Sequence, residues 1–234
     1  MTAPWAPSET PGSSTKVSVF KSQQHPANSP RNMQSEAVAA LSHSILEEQQ
    51  AYTTIIENGG LWFDGFLNTV VWDKDGSTVI DLCQGHPQIV LNRIRDLEPL
   101  ELKGRVCLIG NRNPDNYYHW MNDIVPNFEI LNLSGIAIED IDYFVVNSIS
   151  KRFHTETLEK LGVSLEKIVL TERARYITAD ELVIPKYGSN TLGMGQGKWA
   201  AQYLKRIFGK PVNEVPFRKL YISRGETGPR SVVN

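Results

Sequence analysis

The chain has 234 residues, 41% of them hydrophobic, enough to bury one sizeable core, so disorder throughout is excluded. Its 24 Lys and Arg against 26 Asp and Glu leave a formal charge of −2, without a long basic run. That balance excludes the electrostatic footprint of a nucleic-acid or anionic-membrane binder. No apolar run approaches the roughly 18 residues of a membrane span, and no basic-then-apolar leader opens the chain, so the expected compartment is the cytoplasm.

Residues 1–30 are rich in Pro, Ser and Thr, and ordering them costs more entropy than their packing returns, which predicts a disordered tail. Residues 31–104 are expected to form an N-terminal region of one helix plus a β-hairpin. Ala, Leu, Glu and Gln dominate residues 36–56 and predict the helix. In "TVVWDKDGSTVID", β-branched residues flank Asp75-Gly76, which predicts a hairpin over residues 69–81.

Over residues 105–210 short apolar runs ("RVCLIG", "DYFVVN", "KIVL", "ELVIP") alternate with helix-period segments, the pattern of an α/β lobe with a parallel sheet and crossover helices. Leu158 and Leu161 before Gly162 mark one packing helix. Trp199, Ala200, Tyr203, Leu204, Ile207 and Phe208 before Gly209 mark a second. Pro211 and Pro216 then bracket a linker, and residues 218–223 read as a strand. Cys83 and Cys107 sit among apolar residues with no zinc-ligand spacing and read as buried thiols.

The segment "NPDNYYHWMNDIVP", residues 113–126, concentrates the chemistry. With Asp115 or Asn116 as helix cap, Trp120, Met121, Ile124 and Val125 face the sheet while His119 and Asp123 stack one turn apart on the other side. A carboxylate one turn from an imidazole orients it and raises its basicity, which suits a general base acting on a hydroxyl or a phosphate-binding imidazolium. The same spacing also fits a solvated helix edge with a structural pair. A metal site built on His119 and Asp123, as in a metal-dependent hydrolase, lacks a third ligand, because His86 and His154 stand in unrelated contexts. Pro126 cannot donate to Asn122 and is expected to kink or end the helix.

Arg224 and Arg230 follow the predicted strand in a Gly-rich turn, where two guanidiniums could clamp a diphosphate; a plain charged loop is the alternative. "GMGQGK" at residues 193–198 lacks phosphate-loop spacing and offers no magnesium ligand.

These two stretches, in this order, resemble the catalytic domain of glycosyltransferase family 61, whose motifs are close to N-Y-Y-H-W-x-x-D-x-x-P and Y-I-S-R followed by R-x-V-x-N-E. The matches are Asn116, Tyr117, Tyr118, His119, Trp120, Asp123 and Pro126, then Tyr221, Ile222, Ser223, Arg224, Arg230, Val232 and Asn234. The resemblance implies a Rossmann-like lobe of a GT-B-type transferase, here with an appended hairpin and the disordered tail. It also implies inverting transfer of a sugar from a nucleotide-sugar donor to a glycan or other hydroxyl acceptor, with no metal or further cofactor. In that reading His119 and Asp123 carry the catalysis, Asn116, Tyr118 and Trp120 bind substrate, and Arg224, Arg230 and Asn234 hold the donor diphosphate. Residues 211–234 become the linker and first strand of a second lobe. The family's later Gly-rich, His-containing segment is absent before Asn234, so this polypeptide alone is expected to be inactive. The alternative class is a non-catalytic, truncated α/β domain or interaction module.

Overall fold

A computed structural model of the chain describes residues 14–20, 23–26, 45–48, 51–64, 68–94, 97–111, 113–172, 175–187 and 198–209. The fold is mixed α/β. Its centre is a parallel unit of β7 (Leu100–Leu108), β8 (Tyr143–Val146), β9 (Ile168–Leu170) and β10 (Tyr176–Tyr187), in the spatial order β10-β7-β8-β9. These strands come from short apolar runs rather than alternating ones because the sheet is covered on both faces. Phe144, Val145 and Val146 are accordingly buried without exception.

An antiparallel half extends from the other edge of β10. The strands β4 (Ala51–Glu57) and β5 (Gly60–Phe63) pair with successive stretches of β10, β1 (Ser14–Phe20) pairs with β4, and β6 (Thr69–Trp72) pairs with β5. A separate two-stranded ladder joins β2 (Gln23–Pro26) to β3 (Ile45–Glu48). The main sheet therefore runs continuously across the domain boundary expected at residue 105.

Side-chain parity explains the irregularity in the middle of that sheet. In β10, Ile177 and Ala179 share a core cluster with Leu182 and Ile184, so the inward parity flips at Asp180. In β4 and β5, Tyr52 and Ile56 share the same cluster with Leu61 and Phe63, so it flips again at Asn58 and Gly59. A slip of one residue would otherwise turn each strand's apolar set to the opposite face. The two irregularities face each other, with Asn58 N–H donating to Asp180 O at 2.8 Å and Ala179 N–H to Gly59 O at 3.1 Å. Asn58 reaches a positive φ of 49°, which Asn tolerates.

One face of the sheet is covered by Val71, Val79 and Leu82. The opposite face carries α2 (Tyr117–His119) with its π-helical continuation Trp120–Ile124, α3 (Asn127–Leu133), α4 (Arg152–Lys160) and α5 (Lys198–Phe208) around Cys107, Phe128, Phe144 and Leu158. A further helix, α1 (Pro87–Ile94), packs Val90, Leu91 and Ile94 against Val70 and Trp72. Gly162 follows α4 at φ 84°, the left-handed stop that its sequence announced.

Three expectations need correction. The helix over residues 36–56 is not found where the structure describes that stretch, since residues 45–48 and 51–57 are strands. "YTTII" is β-branched, and pairing on both edges with β1 and β10 decides the matter against helix propensity. The tail over residues 1–30 contains β1, whose backbone supplies the ladder partner for the edge of β4. The hairpin over residues 69–81 keeps its turn, where Asp73 accepts from the N–H groups of Asp75 and Ser77 at 3.0 and 2.8 Å and Gly76 takes φ 77°. Its return arm makes only the bridge Trp72–Thr78, and β6 takes β5 as its continuous partner. The expected linker and strand over residues 211–234 lie outside the described residues, as do residues 193–197.

Candidate active site at the carboxyl ends of the parallel strands

The chain leaves β7 at Leu108 and passes over the end of β8 before entering α2. Gly110 makes this crossing possible, because a Cβ there would lie 2.4 Å from Phe63 Cε1 and 3.3 Å from Val146 Cα. Past the strand ends, Asn147 Nδ2 donates to Asn111 O at 2.6 Å, and the Ser148 and Ser150 hydroxyls donate to Asp115 Oδ1 at 2.7 and 3.1 Å. The Ser148 hydroxyl, chiefly, and that of Ser150 hold the Asp115 carboxyl below its ordinary range. Asn113 turns the backbone at φ 54° and accepts from Asn116 N–H at 3.1 Å.

Asn116, not Asp115, caps the helix: its Oδ1 accepts from Tyr118 N–H at 2.9 Å. The following turn partitions as the spacing predicted. Trp120, Met121, Ile124 and Val125 are buried, while His119 and Asp123 are each about a third exposed, at 34% and 30% of the side chain. His119 Nδ1 and Asp123 Oδ2 are 2.7 Å apart. A carboxylate accepts, so Nδ1 carries the hydrogen and Nε2 is left as the basic atom of the neutral ring. Tyr118 stands edge-on to His119, ring centroids 5.5 Å apart, and both Tyr117 and Tyr118 are exposed, at 60% and 57%.

The helix is a π-turn rather than a plain α-helix here, with Val125 N–H donating to Trp120 O at 3.0 Å. Pro126 follows it as the N-cap of α3 with helical backbone angles, φ −64° and ψ −17°, so the chain continues into α3. The residues named from sequence separate accordingly. Asn116 and Tyr118 border the His119–Asp123 pair, but Trp120 is not a surface contact: it is fully buried and its Nε1–H donates to Thr157 Oγ1 at 2.7 Å. Its large ring belongs to the core beneath the site. Arg224, Arg230 and Asn234 lie outside the described residues.

His154 is a neighbour that the sequence did not reveal. Its Nε2 lies 3.0 Å from Pro114 O and its ring stacks on Trp120 with centroids 4.2 Å apart. Forty residues separate it from Pro114, so no local pattern signals the contact. Among the described residues no group of three or more His, Cys, Asp or Glu side chains is arranged to hold a metal, and no helix is long and apolar enough to cross a membrane. Comparison of the chain with family models, curated proteins and solved structures returns no match.

Proposed function

We propose that this chain is a Rossmann-like lobe of a GT-B-type glycosyltransferase resembling family 61, passing a sugar from a nucleotide-sugar donor to a hydroxyl acceptor without a metal. The observation that carries the reading is the His119–Asp123 pair at 2.7 Å, held past the carboxyl ends of β7 and β8 beside two exposed tyrosines. Open α/β sheets bind ligands at that end. Asp123 fixes the tautomer, His119 Nε2 removes the proton from the acceptor hydroxyl, and the acceptor oxygen bonds to the anomeric carbon as the bond to the diphosphate breaks. Inversion follows from this single displacement. Arg224, Arg230 and Asn234 take the role of stabilising the departing diphosphate.

The test is release of nucleoside diphosphate from a panel of uridine and guanosine diphosphate sugars with oligosaccharide acceptors, using the complete product of the gene. His119→Ala is expected to reduce turnover about 10²- to 10⁴-fold with the melting temperature nearly unchanged. Unchanged turnover would remove His119 from the mechanism. A protein that binds and turns over none of these donors would be a non-catalytic α/β domain.

A further inference from the structure

His154 occupies the third position of α4 and is fully buried against the rings of Trp120 and Phe153, centroids 4.2 and 4.3 Å away. Its two nitrogens face partners of opposite kind. Lys151 N–H, which can only donate, lies 3.2 Å from Nδ1, and Pro114 O, which can only accept, lies 3.0 Å from Nε2. Only the neutral ring with its hydrogen on Nε2 satisfies both. A second proton would sit on Nδ1 pointing at a donor, and the charge would be buried away from solvent.

The two partners matter because of where they lead. Lys151 caps α4, and the Nδ1 contact is the side-chain half of a capping box that a Gln or Glu usually makes. Pro114 is two residues before Asn116, which caps the turn bearing His119. We propose that His154 is an acid-sensitive latch that holds the Pro114–Asn116 loop, and through it the His119–Asp123 pair, against the start of α4 while the ring is neutral, and releases it on protonation.

The charged groups around the ring do not cancel this. Asp115 Oδ1, on the latched loop, lies 4.0 Å from Nε2 and favours the cation, and Lys151 on α4 opposes it. Burial outweighs both the Pro114 contact and Asp115 and pushes the imidazole below its ordinary value. The sign follows from linkage. With the native pKa depressed, the opened state binds the extra proton, so the latch is fully engaged above the ordinary imidazole value of about 6.5 and weakens as pH falls from there to the native pKa.

Amide hydrogen exchange by NMR between about pH 5 and 7.5, corrected for the intrinsic rate, tests this. The reporters are Lys151, Tyr118 and Trp120, whose N–H groups bond to His154 Nδ1, Asn116 Oδ1 and Asn116 O. Their protection is expected to fall by up to about tenfold per pH unit below about 6.5. His154→Gln, which keeps the capping box and does not titrate, is expected to abolish that slope, whereas His119→Gln is expected to retain it. An unchanged slope in His154→Gln, or its loss in His119→Gln, would overturn the proposal. If His154→Gln fails to fold, the ring titration of His154 in the native protein decides, and a value at or above the ordinary one refutes the latch. The latch does not require His119 to be the base, and exchange is read without turnover, so the two ideas fail separately.

Discussion

Thr157→Val probes the support beneath the site with almost no change in volume. Thr157 Oγ1 accepts from Trp120 Nε1–H at 2.7 Å and donates to Phe153 O at 2.7 Å or His154 O at 3.0 Å. The α4 carbonyls keep their helical partners, so the principal loss is the acceptor for an indole N–H on a side chain with no solvent exposure. An orphaned buried donor costs about 1–3 kcal/mol. For a chain of this length each kcal/mol lowers the melting temperature by roughly 2–4 °C, so the expected drop is about 2–12 °C. Urea denaturation followed by tryptophan fluorescence gives the free energy directly. In a Trp120→Phe background the same substitution has no N–H to orphan and is expected to cost at least about 0.5 kcal/mol less, the usual floor for coupled contacts. Equal costs in the two backgrounds would show that the Trp120–Thr157 bond is not what Thr157 contributes.

Gly110→Ala would drive a methyl into Phe63 with the Val146 backbone behind it, and overpacking of this kind costs about 1–3 kcal/mol, measurable by thermal melting. Arg206 on α5 pairs with Glu129 on α3 at 2.6 Å, and the glutamate side chain is only 10% exposed. Arg206→Leu is expected to cost about 1–2 kcal/mol in urea denaturation, less than the roughly 3–5 of a fully buried pair because water reaches the mostly exposed arginine side. Cys107 is fully buried and Cys83 half-buried, and burial raises both thiols above their ordinary range. A chromogenic thiol reagent at neutral pH is therefore expected to react slowly with Cys83 and hardly at all with Cys107 until denaturant is added, and fast labelling of Cys107 would contradict the core assignment.

What was legible in the sequence is what local periodicity can encode. The four strands of the parallel unit, the helix stop at Gly162 and the inward and outward faces of residues 119–125 all follow from spacing and turn chemistry. The strand β4 was not legible, because its identity depends on β1 and β10 at its two edges, and "AYTTIIE" reads as either element until those partners are known. The tail strand β1 failed for the same reason. Within the site, the His119–Asp123 contact was legible because it is local, and His154 was not, because it reaches Pro114 across 40 residues. Spacing put Trp120 on the buried face, and only the substrate-binding role that the resemblance implied does not fit its lack of exposure. The residue stands in a motif of polar and aromatic residues, yet the turn that presents His119 must also bury something, and Trp120 is the largest side chain available for that.

This coupling of a buried and an exposed face explains why one short segment carries so many unusual residues. The π-turn widens the helix before Pro126, so that Trp120, Met121, Ile124 and Val125 all reach the core while His119, Asn122 and Asp123 remain at the surface. Asn122 Nδ2 donates to Tyr118 O at 2.9 Å and Asn127 Nδ2 to Asp123 O at 3.3 Å, supplying side-chain donors to carbonyls around a proline that has no N–H to give. The His119–Asp123 geometry is thus set from below and from both ends. Trp120 is fastened to α4 through Thr157, the entry loop is fastened to α4 through His154, and α3 carries the chain away under β4 and β10. A side chain held this way loses little further entropy on engaging a ligand, which is the condition for a positioned base. It also follows that substitutions of His154 and Thr157 on α4, both buried beneath the site, should be felt at His119.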